Sequence, residues 1–332
     1  MKTLSLALLL LLGGCAVGPD YQRPSASVPL HYKEAKGWQR ATPQDDQSKG
    51  EWWTVYHDDT LSGLLRQVSI SNQNVASYAA QYREAQALAA QSRAALFPTL
   101  GYDASATRSG TRSTNSGARS VTNSNSAQLS ASWEVDLWGK LRRTREENAA
   151  SAQASAAELA NVTLSAQSEL AQDYFQLRIM DEKIARYQQS VAAYDRYLKV
   201  IENKYQAGSE SRATLAQAQM QLESARASAL DQQWQRAQME HAIALLIGKA
   251  PADFSLPAAQ LTATLPPLPQ ALPSQLLQRR PDIAYAERNV AAANAAVGVA
   301  IAGYYPDLTL SASGGTSASA LHNLFSLPYR VW

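Results

Sequence analysis

Few side chains in this sequence are placed to do covalent, acid-base or metal chemistry. The most telling is Cys15, the only cysteine among 332 residues. Lys2 precedes an apolar run from Leu4 to Leu12, and Gly13 and Gly14 then lead into the thiol. That order reads as a secretory leader over 1–14, too short to remain as a membrane-spanning helix. A single thiol excludes an intramolecular disulfide. The triplet His57-Asp58-Asp59 offers metal or acid-base ligands, but no second histidine or acidic cluster completes a site, and the four histidines are dispersed. There is no nucleophile elbow, phosphate loop or paired metal motif. No catalytic residues, metal or cofactor are expected.

The segment Leu12-Gly13-Gly14-Cys15 resembles a bacterial lipobox, which implies cleavage before Cys15 and acylation of its thiol and new amino group. Stable anchoring takes more than one acyl chain. Ala16 follows where an aspartate would resemble an inner-membrane retention signal, so sorting to the outer membrane is favoured. A net charge of +2 with both signs interspersed gives no basic patch for nucleic acid. No run after Leu12 is apolar enough for a transmembrane helix. If the chain crosses a membrane, it does so as strands.

The elements that must position these features are long. Residues 15–57, with Pro19, Pro24, Pro29 and Pro43, read as an extended tether, ending in an apolar cluster of Trp52, Trp53 and Tyr56. Asp58 or Asp59 can cap the helix that follows. The pattern predicts a helix over 61–96, stopped by Pro98. Strict alternation then predicts strands over 99–107 and 126–137, each long enough to cross a bilayer when tilted, with 108–125 as an external turn. Tyr102, Trp133 and Trp138 are available as membrane-interface aromatics. A soluble hairpin would alternate in the same way; the lipid anchor and the helices that follow favour the membrane.

From Lys140 to Ala207 there is neither Gly nor Pro, which predicts a helix over 140–206 extending on the order of 100 Å. Its second half carries a coiled-coil seam of Ile184, Tyr187, Val191, Tyr194, Leu198, Ile201 and Tyr205. A returning helix over 211–247 repeats the spacing with Leu215, Ala218, Leu222, Ala225 and Ala229, then Gln232, Arg236, Met239, Ile243 and Leu246. The two form an antiparallel hairpin with its turn at Gly208. The returning helix and the helix over 61–96 each reach roughly 55 Å, together matching the long one. They are expected to lie end to end beside it. A Pro-rich connection, 249–279, follows.

The chain also repeats itself. Asn72–Ser105 and Arg280–Ser313 align without a gap, and each copy passes from an Ala-rich helix through an aromatic-Pro step, Phe97-Pro98 and Tyr305-Pro306, into an alternating strand. Repetition at this length means a duplicated architecture. The duplicated region comprises a first repeat, 58–248, and the start of a second, 280–332.

The lipobox with Gly18-Pro19-Asp20-Tyr21, then Trp52-Trp53, Phe97-Pro98, Trp133-Glu134-Val135-Asp136-Leu137-Trp138-Gly139-Lys140, Tyr205-Gln206-Ala207-Gly208 and Arg279-Arg280-Pro281-Asp282-Ile283, closely resemble the lipoprotein branch of the TolC-like outer-membrane factors. The resemblance covers essentially the whole chain. It implies a mainly α fold with transmembrane β-strands, in a homotrimer whose strands pool into one outer-membrane barrel above a long α-helical barrel. The implied function is a passive exit duct in a tripartite efflux system, served by a periplasmic adaptor and an inner-membrane pump of the resistance-nodulation-division type. It further implies that Tyr205, Gln206, Ala207, Gly208 and Ser209, with Ser211, Thr214, Leu215 and Gln219, meet the adaptor, while Arg212 and Ala213 sit where relatives vary. A fourth strand, a second long hairpin and the groups closing the periplasmic aperture are expected beyond Trp332. Without them the third strand, opening at Leu308, Leu310 and Ala312, would have an unpaired edge, and the chain alone is not expected to conduct. Two other readings are a periplasmic adaptor lipoprotein, which lacks duplicated helix-Pro-strand units, and a structural coiled-coil lipoprotein, which leaves the alternation unexplained.

Overall fold

The computed structural model describes residues 16–23, 50–112, 117, 119–261, 280–324 and 330–331, so the leader, Cys15 and much of the proposed tether lie outside the described residues. The chain divides into two compact units, Met1–Ala26 with Arg83–Ala154 and Tyr285–Trp332, and Ser27–Tyr82 with Ser155–Ala284. The helices are α1 (Asp59–Ser71), α2 (Gln73–Ala94), α3 (Lys140–Gln206), α4 (Arg212–Leu246) and α5 (Pro281–Ala302). The molecule is mainly helical, and among the described residues the strands all lie in the first unit. None of the described helices is long and apolar enough to cross a membrane.

The first unit holds an antiparallel sheet in the order β1 (Thr99–Arg112), β2 (Arg119–Val135), β3 (Leu308–Ala318), β4 (Arg330–Val331). Register places Leu100 opposite Ala131, Tyr102 opposite Leu129, and Trp133 opposite Leu310, so the apolar members of each alternation share one face. The polar members share the other, where the hydroxyls of Ser105 and Ser126 meet at 2.8 Å. Leu100 and Tyr102 are each 85% exposed and Leu129 69%, which is untenable as a water-facing surface and natural for one facing lipid.

Two expectations about this sheet need correction. The first hairpin does not open at residue 107: its ladder continues until Arg112 faces Arg119, because the Ser, Thr and Gly of that stretch satisfy one another's backbone groups across the pair. Nor does the fourth strand wait until after Trp332, although the third strand keeps most of its outer edge, Leu308–Gly314, without a strand partner among the described residues. The third strand pairs with β2 from Leu308 to Ala318, and Arg330–Val331 pairs with Gly315 and Thr316 on its other side.

Within the expected tether, residues 17–21 are held by hydrogen bonds to distant side chains. The Val17 amide donates to the Trp138 carbonyl (3.0 Å), and the buried Arg143 guanidinium donates to the carbonyls of Val17 and Gly18 and to the Asp20 carboxylate (2.7 Å). The Tyr21 hydroxyl donates to Glu287 and the Asn294 amide to the Pro19 carbonyl. A Pro-interrupted segment cannot pair with itself, so side chains of α3 and α5 supply its partners.

In the second unit, Leu61, Leu64, Leu65 and Val68 form the i, i+3, i+4, i+7 stripe of α1 and enter a core with Trp53, Leu170, Tyr174, Leu177, Ile243 and Ile247. Each such aliphatic side chain contributes about 1.5–3 kcal/mol on burial. Asp58 caps α1, accepting from the Leu61 amide at 2.9 Å, while its second oxygen accepts from the Tyr174 hydroxyl at 2.6 Å. α3 and α4 run antiparallel, linked by ion pairs from Arg236 to Asp181 and from Arg226 to Asp195. Ile201, Ala218, Leu222, Ala225, Ala229 and Ile243 of the anticipated seam are buried, whereas Tyr194 and Tyr205 are exposed.

The helix expected over 61–96 is in fact two helices, broken at Asn72, whose ψ of 122° is extended. The Asn72 carbonyl oxygen Oδ1 accepts from the amides of Asn74 and Val75, capping α2, and its Nδ2 donates to the Leu246 carbonyl at the end of α4. The helix that meets α4 end to end is therefore α2 alone. An asparagine that offers its own cap outcompetes helix continuation there.

Candidate functional site

At the first helix-to-strand junction the Phe97 amide closes a turn on the Ala94 carbonyl (3.0 Å), and at the second the Tyr305 amide does so on Ala302 (3.1 Å). Pro98 and Pro306 then forbid further helix. The two tryptophans near the end of β2 each reach one of these junctions. Trp133 Nε1 donates to the Leu96 carbonyl (3.2 Å), while Trp138 Nε1 donates to the Pro306 carbonyl (3.1 Å) and its ring stacks on Tyr305 with centroids 4.7 Å apart. Tyr102, in contrast, projects from the apolar face with 85% exposure.

Charged groups between these tryptophans fasten the start of α3. Asp136 accepts from the amides of Leu141 and Arg142 and pairs with the Arg142 guanidinium, an anionic cap at a helix N-terminus. The Lys140 ammonium lies 3.0 Å from Asp307 and 3.4 Å from Glu134. Its hydrogen bond to Asp307 holds its pKa above the ordinary lysine value.

At the hairpin turn Gly208 has φ +71°, the left-handed conformation that ends a helix without steric cost. Its amide donates to the Tyr205 carbonyl (2.9 Å), and the Ser209 amide donates to Lys204 (2.9 Å), the paired bonds of a Schellman closure. Ser211 then caps α4 by accepting from the Thr214 amide (3.1 Å). Tyr205 to Ser209, Ser211 and Gln219 are exposed, with Thr214 and Leu215 half-buried. These bonds shape a turn and leave its surface open to a partner.

Sequence reasoning missed a buried network where the Pro-rich connection begins. Arg178 and Asp181 of α3 pair at 3.1 Å, with side chains 6% and 4% exposed, and Asp181 also pairs with Arg236 of α4 at 2.7 Å. The network grips backbone: Arg178 donates to the Pro257 carbonyl, Arg236 to Leu256, and Asp181 and Glu240 accept from the amides of Ala259 and Leu256. Asp181 and Arg236 recur on facing helices, but nothing in their spacing marks the connection as their target. Cys15 lies outside the described residues, as do 262–279. Among the described residues no group of three or more His, Cys, Asp or Glu side chains could hold a metal ion.

Comparison with known proteins agrees with this arrangement. The family model described as outer membrane efflux protein matches residues 64–249 and 272–332. The chain is 30% identical to the cation efflux system protein CusC of Escherichia coli O6:H1 over 100% of its own length and 71% of the relative's. It is 29% identical to the toluene efflux pump outer membrane protein TtgF of Pseudomonas putida, with the same two coverages. Among solved structures, the outer-membrane channel OprN superposes with a TM-score of 0.79 at 29% identity, over 96% of this chain and 71% of that one. With its lipid-facing sheet, duplicated junctions and helical hairpin, this chain belongs to the outer membrane efflux protein family.

Proposed function

We propose that the chain is one protomer of a passive exit duct, in which neighbouring copies complete a β-barrel and small molecules leave through its lumen. The observation that carries this reading is the sheet itself, apolar on one face and hydroxyl-lined on the other, entered from helix at two Pro-marked junctions. Bacterial barrels need about eight strands or more, so one sheet of this size requires further copies, and a homotrimer is the assembly we favour. The duct performs no catalysis and needs no cofactor.

In this reading the lipid on Cys15 fixes the start of the chain in the membrane, and Trp133, Trp138 and Tyr102 lie at the interface. The exposed turn from Tyr205 to Ser209, with Ser211, Thr214, Leu215 and Gln219, receives a periplasmic adaptor that couples the duct to an inner-membrane pump of the resistance-nodulation-division type. Replacing Leu215 with Asp is expected to abolish efflux-dependent resistance while trimers remain in the outer membrane; unchanged resistance removes the adaptor role from this turn. Heat-modifiable migration and outer-membrane fractionation separate the duct from an adaptor lipoprotein, which would show neither.

A further inference from the structure

The lipid-facing side of the first hairpin does not end with its apolar residues. Leu100, Tyr102, Ala104 and Ala106 occupy alternate positions of β1, and Arg108, Gly110 and Arg112 continue the same parity. Cross-strand partners share a face, so Asn123, opposite Arg108, and Arg119, opposite Arg112, lie on it as well. A tilted strand crosses the hydrocarbon in about 9–11 residues, which from Thr99 ends near Arg108. Arg112 and Arg119 stand roughly 13 Å further along the strands, at headgroup depth.

Two features of these arginines call for an anion. Like charges directly opposite one another weaken a strand pair, yet Arg112 faces Arg119, and residues 104–133 contain no Asp or Glu to separate them. The same two side chains also line one open cleft, with Gly110, Thr111 and Gly117. A guanidinium presents a planar fork that matches phosphate oxygens, and it does so best beside the low dielectric of lipid.

We propose that Arg108, Arg112 and Arg119 form a binding surface for the phosphate groups of an outer-leaflet glycolipid, lipopolysaccharide, seated against the outward face of the barrel. The apolar residues below accept its acyl chains and the arginines its phosphates. This rests on the outer-membrane barrel reading, and heat-modifiable migration of the wild-type chain reports on that reading separately.

The test is binding of bisphosphorylated lipid A, dephosphorylated lipid A and inorganic phosphate to the full chain in detergent micelles. Bisphosphorylated lipid A is expected to bind with an affinity that falls with salt, and the other two not to compete. The Arg108→Gln, Arg112→Gln, Arg119→Gln triple variant should bind roughly 100-fold more weakly, and the corresponding triple Lys variant, which keeps the charge but not the fork, should fall between it and the wild type. Equal binding of the two lipids by the wild type overturns the proposal without any variant. Competition by inorganic phosphate at similar concentration, or unchanged affinity in the Gln variant, overturns it too.

Discussion

Asn72 and Leu246, 174 residues apart, are joined by a 2.8 Å hydrogen bond from the asparagine Nδ2 to the leucine carbonyl. Because Oδ1 of the same carboxamide accepts from the amides of Asn74 and Val75, one side chain closes the end of α4 and opens α2. Orphan carbonyls at one helix end and orphan amides at the next helix start are answered together. The residue is only 6% exposed, so water does not substitute.

Asn72→Ala is expected to destabilise the chain more than Asn72→Asp. Aspartate keeps the cap, worth about 1 kcal/mol, whereas alanine loses it and leaves both sets of partners unpaired, each buried group costing about 1–3 kcal/mol. Both variants should unfold below wild type, in the order Asp then Ala, by thermal denaturation followed by circular dichroism.

Gly248→Ala should be severe for two independent reasons. Its φ is +68°, and an added Cβ would collide with the backbone carbonyl oxygen of Ser71. At Gly208 the φ is +71° but nothing lies within 4 Å of such a Cβ. Gly208→Ala should therefore cost only the conformational strain, about 1–2 kcal/mol, and Gly248→Ala clearly more, when the two are compared by thermal denaturation.

Removing the Asp181 carboxylate takes its carboxylate partner from the almost fully buried Arg178, while Arg236 keeps its pair with Glu240. Asp181→Ala should cost about 3–5 kcal/mol and free the backbone at Leu256–Ala259, visible as faster amide exchange and proteolysis there. Protection unchanged at these residues would mean that the network does not hold the connection.

Burial, and secondarily the Glu169 charge, raises the Asp173 pKa. A carboxyl whose folded pKa lies above its unfolded one favours folding when protonated, so it works against stability at neutral pH and progressively less as pH falls through the folded pKa. Asp173→Asn should therefore raise the melting temperature relative to wild type at pH 8, and the difference should shrink as the pH is lowered towards the ordinary carboxylate range. An advantage that grows on acidification would contradict the assignment.

How much of this was legible follows from what each signal depends on. The alternation on either side of Leu129, the Gly- and Pro-free run from Lys140 and the Pro98 and Pro306 stops are local properties, and periodicity reports them directly. The break at Asn72 has a local signal in the cluster Ser69, Ser71, Asn72 and Asn74, but its long-range partner at Leu246 cannot be read from the neighbouring sequence. Arg143 is hidden in part for the same cause: two of its partners are backbone carbonyls at Val17 and Gly18, which carry no sequence identity, and a third, Asp20, lies 123 residues away. The aromatic character of Trp133 and Trp138 suggests an interface, whereas the direction of their indole donors, at the two helix-to-strand junctions, cannot be read from the sequence.

Among the described residues β1 pairs along one side only, with β2. Hydrogen-bonding groups along its other side must be satisfied before the strand can rest in lipid, where no water is available. Insertion and association then become a single concentration-dependent reaction, and the stability of one protomer has no value independent of how many others share its membrane. Expression level, and not sequence alone, would decide how much of this protein is folded.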